Sequence, residues 1–144
     1  MNEEISSRMV EVGNKKILIV EDDPDVRKGM YVRLKANGYE VFLAADAPSS
    51  MIEARKHEPD LVILDLGLPA GDGFVVMERL KTMPSRALIP IIVVSARDVR
   101  ANQERAIKAG ARAFLQKPVD NAELLAEIRQ ALGETLSAGE ARRD

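Results

Sequence analysis

Three short stretches of the chain are continuously apolar: Ile17-Leu18-Ile19-Val20, Leu61-Val62-Ile63-Leu64 and Ile91-Ile92-Val93-Val94. Each is too short for a helix and lacks the polar alternation of a half-exposed strand. Such runs predict strands buried on both faces, as in the middle of a parallel sheet. Two weaker stretches flank them in the pattern. Tyr39-Glu40-Val41-Phe42-Leu43-Ala44 carries a charge inside it, and Ala111-Arg112-Ala113-Phe114-Leu115 is interrupted by an arginine. Both suit the edges of a sheet better than its centre.

Helical patterning fills the intervals. Asp23-Pro24 opens the first helix, with Val26, Met30 and Leu34 at four-residue spacing and a stop at Asn37-Gly38. Asp46 can cap a second helix from Pro48 to His57. A third runs from Phe74 to Met83 with Phe74, Met77 and Leu80 on one side. Pro84 and Pro90 bracket a loop, and a polar fourth helix from Asp98 to Ala109 stops at Gly110. Asp120 and Glu123 read as a capping box for the last helix, whose Leu125, Ile128 and Leu132 share core spacing before Gly133. Strand and helix thus alternate five times, which implies an α/β fold with right-handed crossovers. With the apolar runs central, the expected architecture is a flavodoxin-like (βα)5 doubly wound parallel five-stranded sheet in the order 2-1-3-4-5. Its switch point lies between strands 1 and 3. Residues 1–14 are mixed and aperiodic and read as a flexible leader. Residues 15–133 form the domain, and residues 134–144 read as a polar tail or the start of a linker.

Composition narrows the chemistry. A chain of 144 residues fits one domain, and 46% apolar with 31% charged residues is an ordinary soluble balance. A net charge of −2 leaves no electrostatic footprint for nucleic acid or an anionic membrane. The absence of Cys excludes disulfides and thiolate metal sites, and the single His57 excludes a histidine-cluster site; a solvated helix position is the expected place for it. The acidic start Met1-Asn2-Glu3-Glu4-Ile5 is unlike a signal peptide, and no apolar run approaches the ~20 residues of a membrane span. A soluble, cytoplasmic domain is expected.

The residues at the C-terminal end of each strand carry the chemistry. Taken alone, Asp65 after Leu61–Leu64 is either a ligand or nucleophile, or a helix cap. Strand 1 ends in Glu21-Asp22-Asp23, strand 4 in Ser95 and strand 5 in Lys117-Pro118. A parallel sheet puts all these ends on one edge. Carboxylates converging there need a cation or a proton between them. Oxygen ligands with room for water suit Mg²⁺, while Ser95 and Lys117 are suitable partners for a phosphate. Each residue has a structural alternative, Asp22 or Asp23 as a cap before Pro24 and Ser95 as a loop hydroxyl. Four at four matching strand ends favour a functional site, with Asp23 and Asp120 left as caps.

From Lys15 to Gly133 the chain resembles a receiver domain of a two-component response regulator. The motifs are Ile17-Leu18-Ile19-Val20-Glu21-Asp22-Asp23-Pro24, Leu64-Asp65-Leu66-Gly67-Leu68-Pro69 with Gly71-Asp72-Gly73, Val94-Ser95-Ala96, and Phe114-Leu115-Gln116-Lys117-Pro118. The resemblance implies that Asp65 accepts a phosphoryl group from a histidine kinase or histidine phosphotransfer protein. It also implies that the domain catalyses its own phosphorylation and dephosphorylation without being a conventional enzyme. With Asp65, Asp22 would ligate Mg²⁺ directly, Glu21 mostly through water, and the Gly67 carbonyl would add a ligand. Ser95 would bond the phosphoryl oxygens, Lys117 would pair with them, and Phe114 would be the switch aromatic. The Lys117-Pro118 bond would be cis. Gly67 and Arg97 depart from the commoner residues at positions that tune the lifetime of the phosphate. Phe114 in place of the commoner Tyr leaves the switch to packing alone. Output would pass to a downstream effector through the face of helix 4, strand 5 and helix 5, with homodimer formation on phosphorylation as one form of it. Helix 4 has only Val99 and Ile107 as large apolar residues, so it should shift most easily. A small Mg²⁺-dependent phosphohydrolase of the haloacid-dehalogenase type is the alternative. It needs a second acid two residues after the nucleophile, where this chain has Gly67. A flavodoxin-like binding module would need a phosphate-cradling loop in place of Glu21-Asp22-Asp23. A receiver-like domain that never takes phosphate would have no use for the intact acidic set. The domain is expected to be either a stand-alone receiver or part of a longer protein.

Overall fold

The computed structural model describes residues 15–68, 73–83, 89–96 and 99–134. These form β1 (Lys16–Val20), α1 (Pro24–Ala36), β2 (Glu40–Ala44), α2 (Ala47–His57), β3 (Leu61–Leu64), α3 (Gly73–Lys81), β4 (Ile91–Ser95), α4 (Val99–Lys108), β5 (Ala113–Gln116) and α5 (Asn121–Ala131). The strands make one sheet in the order β2-β1-β3-β4-β5, every pair parallel. The expected leader, all of the expected tail after Glu134, the loop residues 69–72 and 84–88, and Arg97 lie outside the described residues.

Both faces of the sheet are covered, and its central strands are apolar on both sides along Ile17–Val20, Leu61–Leu64 and Ile91–Val94. Leu18 and Val20 of β1 join Val62, Leu64 and Val93 in a core closed by Met51 of α2, Met77 and Leu80 of α3 and Ala106 of α4. The alternate residues Ile17 and Ile19, with Ile63, Ile92 and Leu115, face Leu34 of α1 and Leu124 and Ile128 of α5. This is the period of two expected of strands, and fully burying one such side chain contributes about 1.5–3 kcal/mol.

The differences from the sequence reading lie at the margins. β5 begins at Ala113 rather than Ala111 because the α4 terminus uses Ala111, while the Arg112 amide already reaches the Ile91 carbonyl of β4 at 2.8 Å. Gly110 takes a φ of +113°, and the Ala111 amide folds back to the Ala106 carbonyl at 2.9 Å, a helix-ending turn. On α5 the fully buried pair is Leu124 and Ile128, with Leu125 and Leu132 only partly buried. Asp120 caps α5 through the Ala122 amide at 2.9 Å, not through the amide of Glu123 as a capping box would. The capping box belongs to α2, where Asp46 and Ser49 bond reciprocally. His57 is not a solvated helix residue. It is half-buried, stacks on Phe42 with ring centroids 3.7 Å apart and pairs with Glu53 at 3.3 Å. No helix among the described residues is long and apolar enough to cross a membrane.

Candidate functional site

Strand pairing runs one step past the ends of β1 and β3, and that step orders the acidic residues. The Glu21 amide donates to the Ala44 carbonyl and the Asp65 amide to the Val20 carbonyl, both at 3.0 Å. On the other flank the Lys117 amide donates to the Ser95 carbonyl at 2.9 Å. Glu21, Asp65 and Lys117 therefore spring from backbone immobilised by the sheet. Asp23 turns away from them, capping α1 by accepting from the amides of Asp25 and Val26 at 2.9 and 3.3 Å.

Glu21, Asp22 and Asp65 each bring a carboxylate oxygen within 4.8 Å of the others. Glu21 and Asp65 are buried, at 1% and 7% exposure, and Asp22 is open to solvent. Oδ1 of Asp65 accepts from the Gly67 amide at 3.1 Å, and Oδ2 accepts from Nζ of Lys117 at 3.3 Å. Nζ lies closer to Oε1 of Glu21, at 2.6 Å, so one ammonium bridges the two strand ends. That ammonium is the polar neighbour of Oε1, which is otherwise buried without a partner among the described residues. Oε2 accepts from the Asp23 amide at 3.1 Å.

Burial is the largest influence on Glu21. It raises the carboxyl above its ordinary value, with the Asp65 charge adding to it and Lys117 and the Asp23 amide only partly offsetting it. Burial alone would lower Lys117, but Glu21 and Asp65 outweigh it and the ammonium is held more firmly than usual. Three carboxylates against one ammonium leave an excess of two negative charges when all are ionised. A buried carboxylate oxygen whose one polar neighbour is the Lys117 ammonium, an all-oxygen donor set and one solvent-facing member fit a hard divalent cation. The cluster can hold a metal ion.

The model of the response regulator receiver domain matches residues 17–129 of the chain. The chain belongs to that family. This receiver domain is 40% identical over 116 residues to the KDP operon transcriptional regulatory protein KdpE of Escherichia coli, covering 81% of the chain and 50% of that protein. It is 35% identical over 114 residues to the response regulator PleD of Caulobacter vibrioides, covering 79% of the chain and 25% of PleD. The chain thus spans about half or less of the curated relatives it matches. Among solved structures it resembles a CheY-like receiver domain protein from Methanospirillum hungatei, with a TM-score of 0.77 at 30% identity, over 86% of the chain and 98% of that one. It also resembles the receiver domain of the sensor histidine kinase PA1611 from Pseudomonas aeruginosa, which carries a magnesium ion coordinated in its active-site cleft. There the TM-score is 0.77 at 28% identity, over 84% and 99% of the two chains.

Most of the residues picked out from the sequence share this receiver's sheet edge. Ser95 closes β4 and is fully buried, while Gly67 is exposed on the loop after Asp65. Phe114 lies opposite Val93 on β5, half-buried against the core under α2, α3 and α4. The Lys117-Pro118 peptide is cis. Arg97 lies outside the described residues. Two features escape the sequence reading. One is the Glu21–Lys117 pair, since a phosphate is the partner expected for the lysine. The other is Arg27, which donates to the carbonyls of Glu21 and Asp22 at 2.8 and 3.3 Å and so fixes the turn that carries both acids. Its signal is its place one turn into α1, where a long cation can reach back over the strand end.

Proposed function

We propose that this receiver is a phosphorylation-dependent signalling switch that takes a phosphoryl group from a phosphohistidine of a histidine kinase or phosphotransfer protein onto Asp65. The observation that carries the reading is the convergence of a nearly buried Asp65 with Glu21, Asp22 and Lys117 at one sheet edge. An oxygen of Asp65 attacks phosphorus, the P–N bond breaks, and its electron pair leaves with the imidazole, which then takes a proton. The product is an acyl phosphate, and water later hydrolyses it back to the carboxylate. Catalysis of this kind is positioning and charge neutralisation. Gly67 orients the carboxylate through its amide, and Lys117 supplies a cation that passes from the carboxylates to the phosphoryl oxygens. Glu21, Asp22, Asp65 and the Gly67 carbonyl would hold Mg²⁺, which when bound offsets the negative charge of the transferring group.

Ser95 then bonds the phosphoryl oxygens, and Phe114 repacks beside it. The change reaches the α4–β5–α5 face, where an effector or a second copy of the domain reads it. Gly67 and Arg97 are assigned to the lifetime of the acyl phosphate, and the working unit to residues 15–133 in the cytoplasm. The test is intact mass after incubation with acetyl phosphate and Mg²⁺. A gain of one phosphoryl group, absent in Asp65→Asn, is expected. No gain, or an equal gain in the variant, refutes the reading.

A further inference from the structure

We infer that Gly73 is a positioning residue for the reaction at Asp65, an inference that rests on the phosphoryl reading above. Gly73 opens α3 and is buried. A Cβ built on it would lie 2.7 Å from the Asp65 carbonyl oxygen and 2.8 Å from Cα of Leu66. Both are backbone atoms, and neither can swing aside as the end of a side chain could. Gly73 does not have a positive φ, so its requirement is for space and not for a special conformation. The close approach is also bonded, the Gly73 amide donating to the Leu66 carbonyl at 2.9 Å.

The start of α3 is thus pressed against the peptide that carries the acceptor carboxylate. Asp65 is tied to β1 on one side by the hydrogen bond its amide donates to the Val20 carbonyl, and Leu66 is fully buried on the other. A side chain at position 73 must push the Asp65–Gly67 turn or the first turn of α3, and the turn is the piece that aims Oδ1 at the Gly67 amide. Removing the clash by trimming Leu66 is not open, because the contact is to its Cα as well as its side chain. Gly29, within α1, is the contrast: an added Cβ there meets nothing within 4 Å.

The experiment compares wild type, Gly73→Ala, Gly29→Ala and the double variant Gly29→Ala/Gly73→Ala. Each is phosphorylated by acetyl phosphate at saturating Mg²⁺, with rates expressed per folded molecule from cooperative unfolding curves. A misplacement of order 1 Å at a reacting group costs up to about 100-fold in rate. Both forms carrying Gly73→Ala should therefore fold cooperatively yet react about 10- to 100-fold more slowly. The acetyl phosphate concentration giving half the maximal rate should stay unchanged, and Gly29→Ala should match wild type. A wild-type rate in Gly73→Ala, with wild type phosphorylated, overturns this inference alone. Loss of cooperative folding in both the single and the double variant also overturns it, since Gly73 would then serve the fold as a whole. A wild type that gains no phosphoryl group overturns the inference together with the phosphoryl reading.

Discussion

Lys117 and Glu21 form the closest charge contact at the site, at 2.6 Å. Glu21 is almost fully buried and its carboxyl is raised chiefly by that burial, so Lys117 is what makes the charge tolerable. Breaking a buried pair typically costs about 3–5 kcal/mol, and proton uptake by Glu21 should reduce that cost. Lys117→Ala is therefore expected to lower the urea midpoint, to accept phosphate slowly and to lose most of the conformational response. Lys117→Arg should not restore the response, because a planar fork cannot replace a compact ammonium between two carboxylates. Full recovery with Arg would contradict this. Asp22 stands differently, exposed and without a share in the lysine. Asp22→Asn should leave the fold intact, weaken Mg²⁺ in a titration and leave the metal-free melting temperature unchanged or higher, since one of three crowded negative charges is gone. A metal affinity equal to wild type would place the ion elsewhere.

The α4 helix is held weakly by the core. Its one buried residue is Ala106, and Ile107 is 44% exposed. The guanidinium of Arg105 lies 3.7 Å over the ring of Phe74 at the start of α3, an attachment made by a polar side chain. A contact of this kind near the surface is worth about 0.5–1 kcal/mol. Arg105→Ala should cost roughly that in global stability while speeding hydrogen exchange selectively within α4, and exchange unchanged in α4 would show the contact to be idle. The looseness of α4 is legible in the sequence because it is a matter of composition: a helix with Val99 and Ile107 as its only large apolar residues has little to bury. Which strands are central is legible for a similar reason, since uninterrupted Ile, Leu and Val runs suit burial on both faces, and the order follows from the flavodoxin-like pattern that this matches. The acids and Lys117 are legible because a parallel sheet collects its strand ends on one edge. The features that the sequence conceals depend on distance between elements. The Phe42–His57 stack, the reach of Arg27 to two carbonyls and the contact of Gly73 with Asp65 leave no periodic trace. The start of β5 is misplaced in the sequence pattern because the α4 terminus claims Ala111 for its own carbonyls.

At the scale of the whole molecule, side-chain hydrogen bonds join elements distant in sequence. One of these joins Tyr39, between α1 and β2, to Glu134 just past α5, with the phenol donating at 2.8 Å. Burial first, and then the Glu134 carboxylate, push the ionisation of Tyr39 well above the ordinary tyrosine range. A group raised in the folded state contributes stability that is complete below its unfolded value, about 10, and is lost as the pH rises through the folded one. At pH 8 Tyr39→Phe should be less stable than wild type by about 0.5–1.5 kcal/mol, one hydrogen bond. The difference in urea midpoint should narrow above pH 10, and a gap that stays constant or widens would contradict the assignment. The larger claim is that a charge change at Asp65 alters packing at α4 and β5, with β4 between β3 and β5. Hydrogen exchange measured before and after phosphorylation by acetyl phosphate, with Asp65→Asn in parallel, tests it most directly. The expected result is altered protection around Asp65 and Ser95 that extends through Phe114 into α4, and none of it in Asp65→Asn. Unaltered exchange in α4 and β5 while Asp65 carries phosphate, or the same change in Asp65→Asn, would contradict the account.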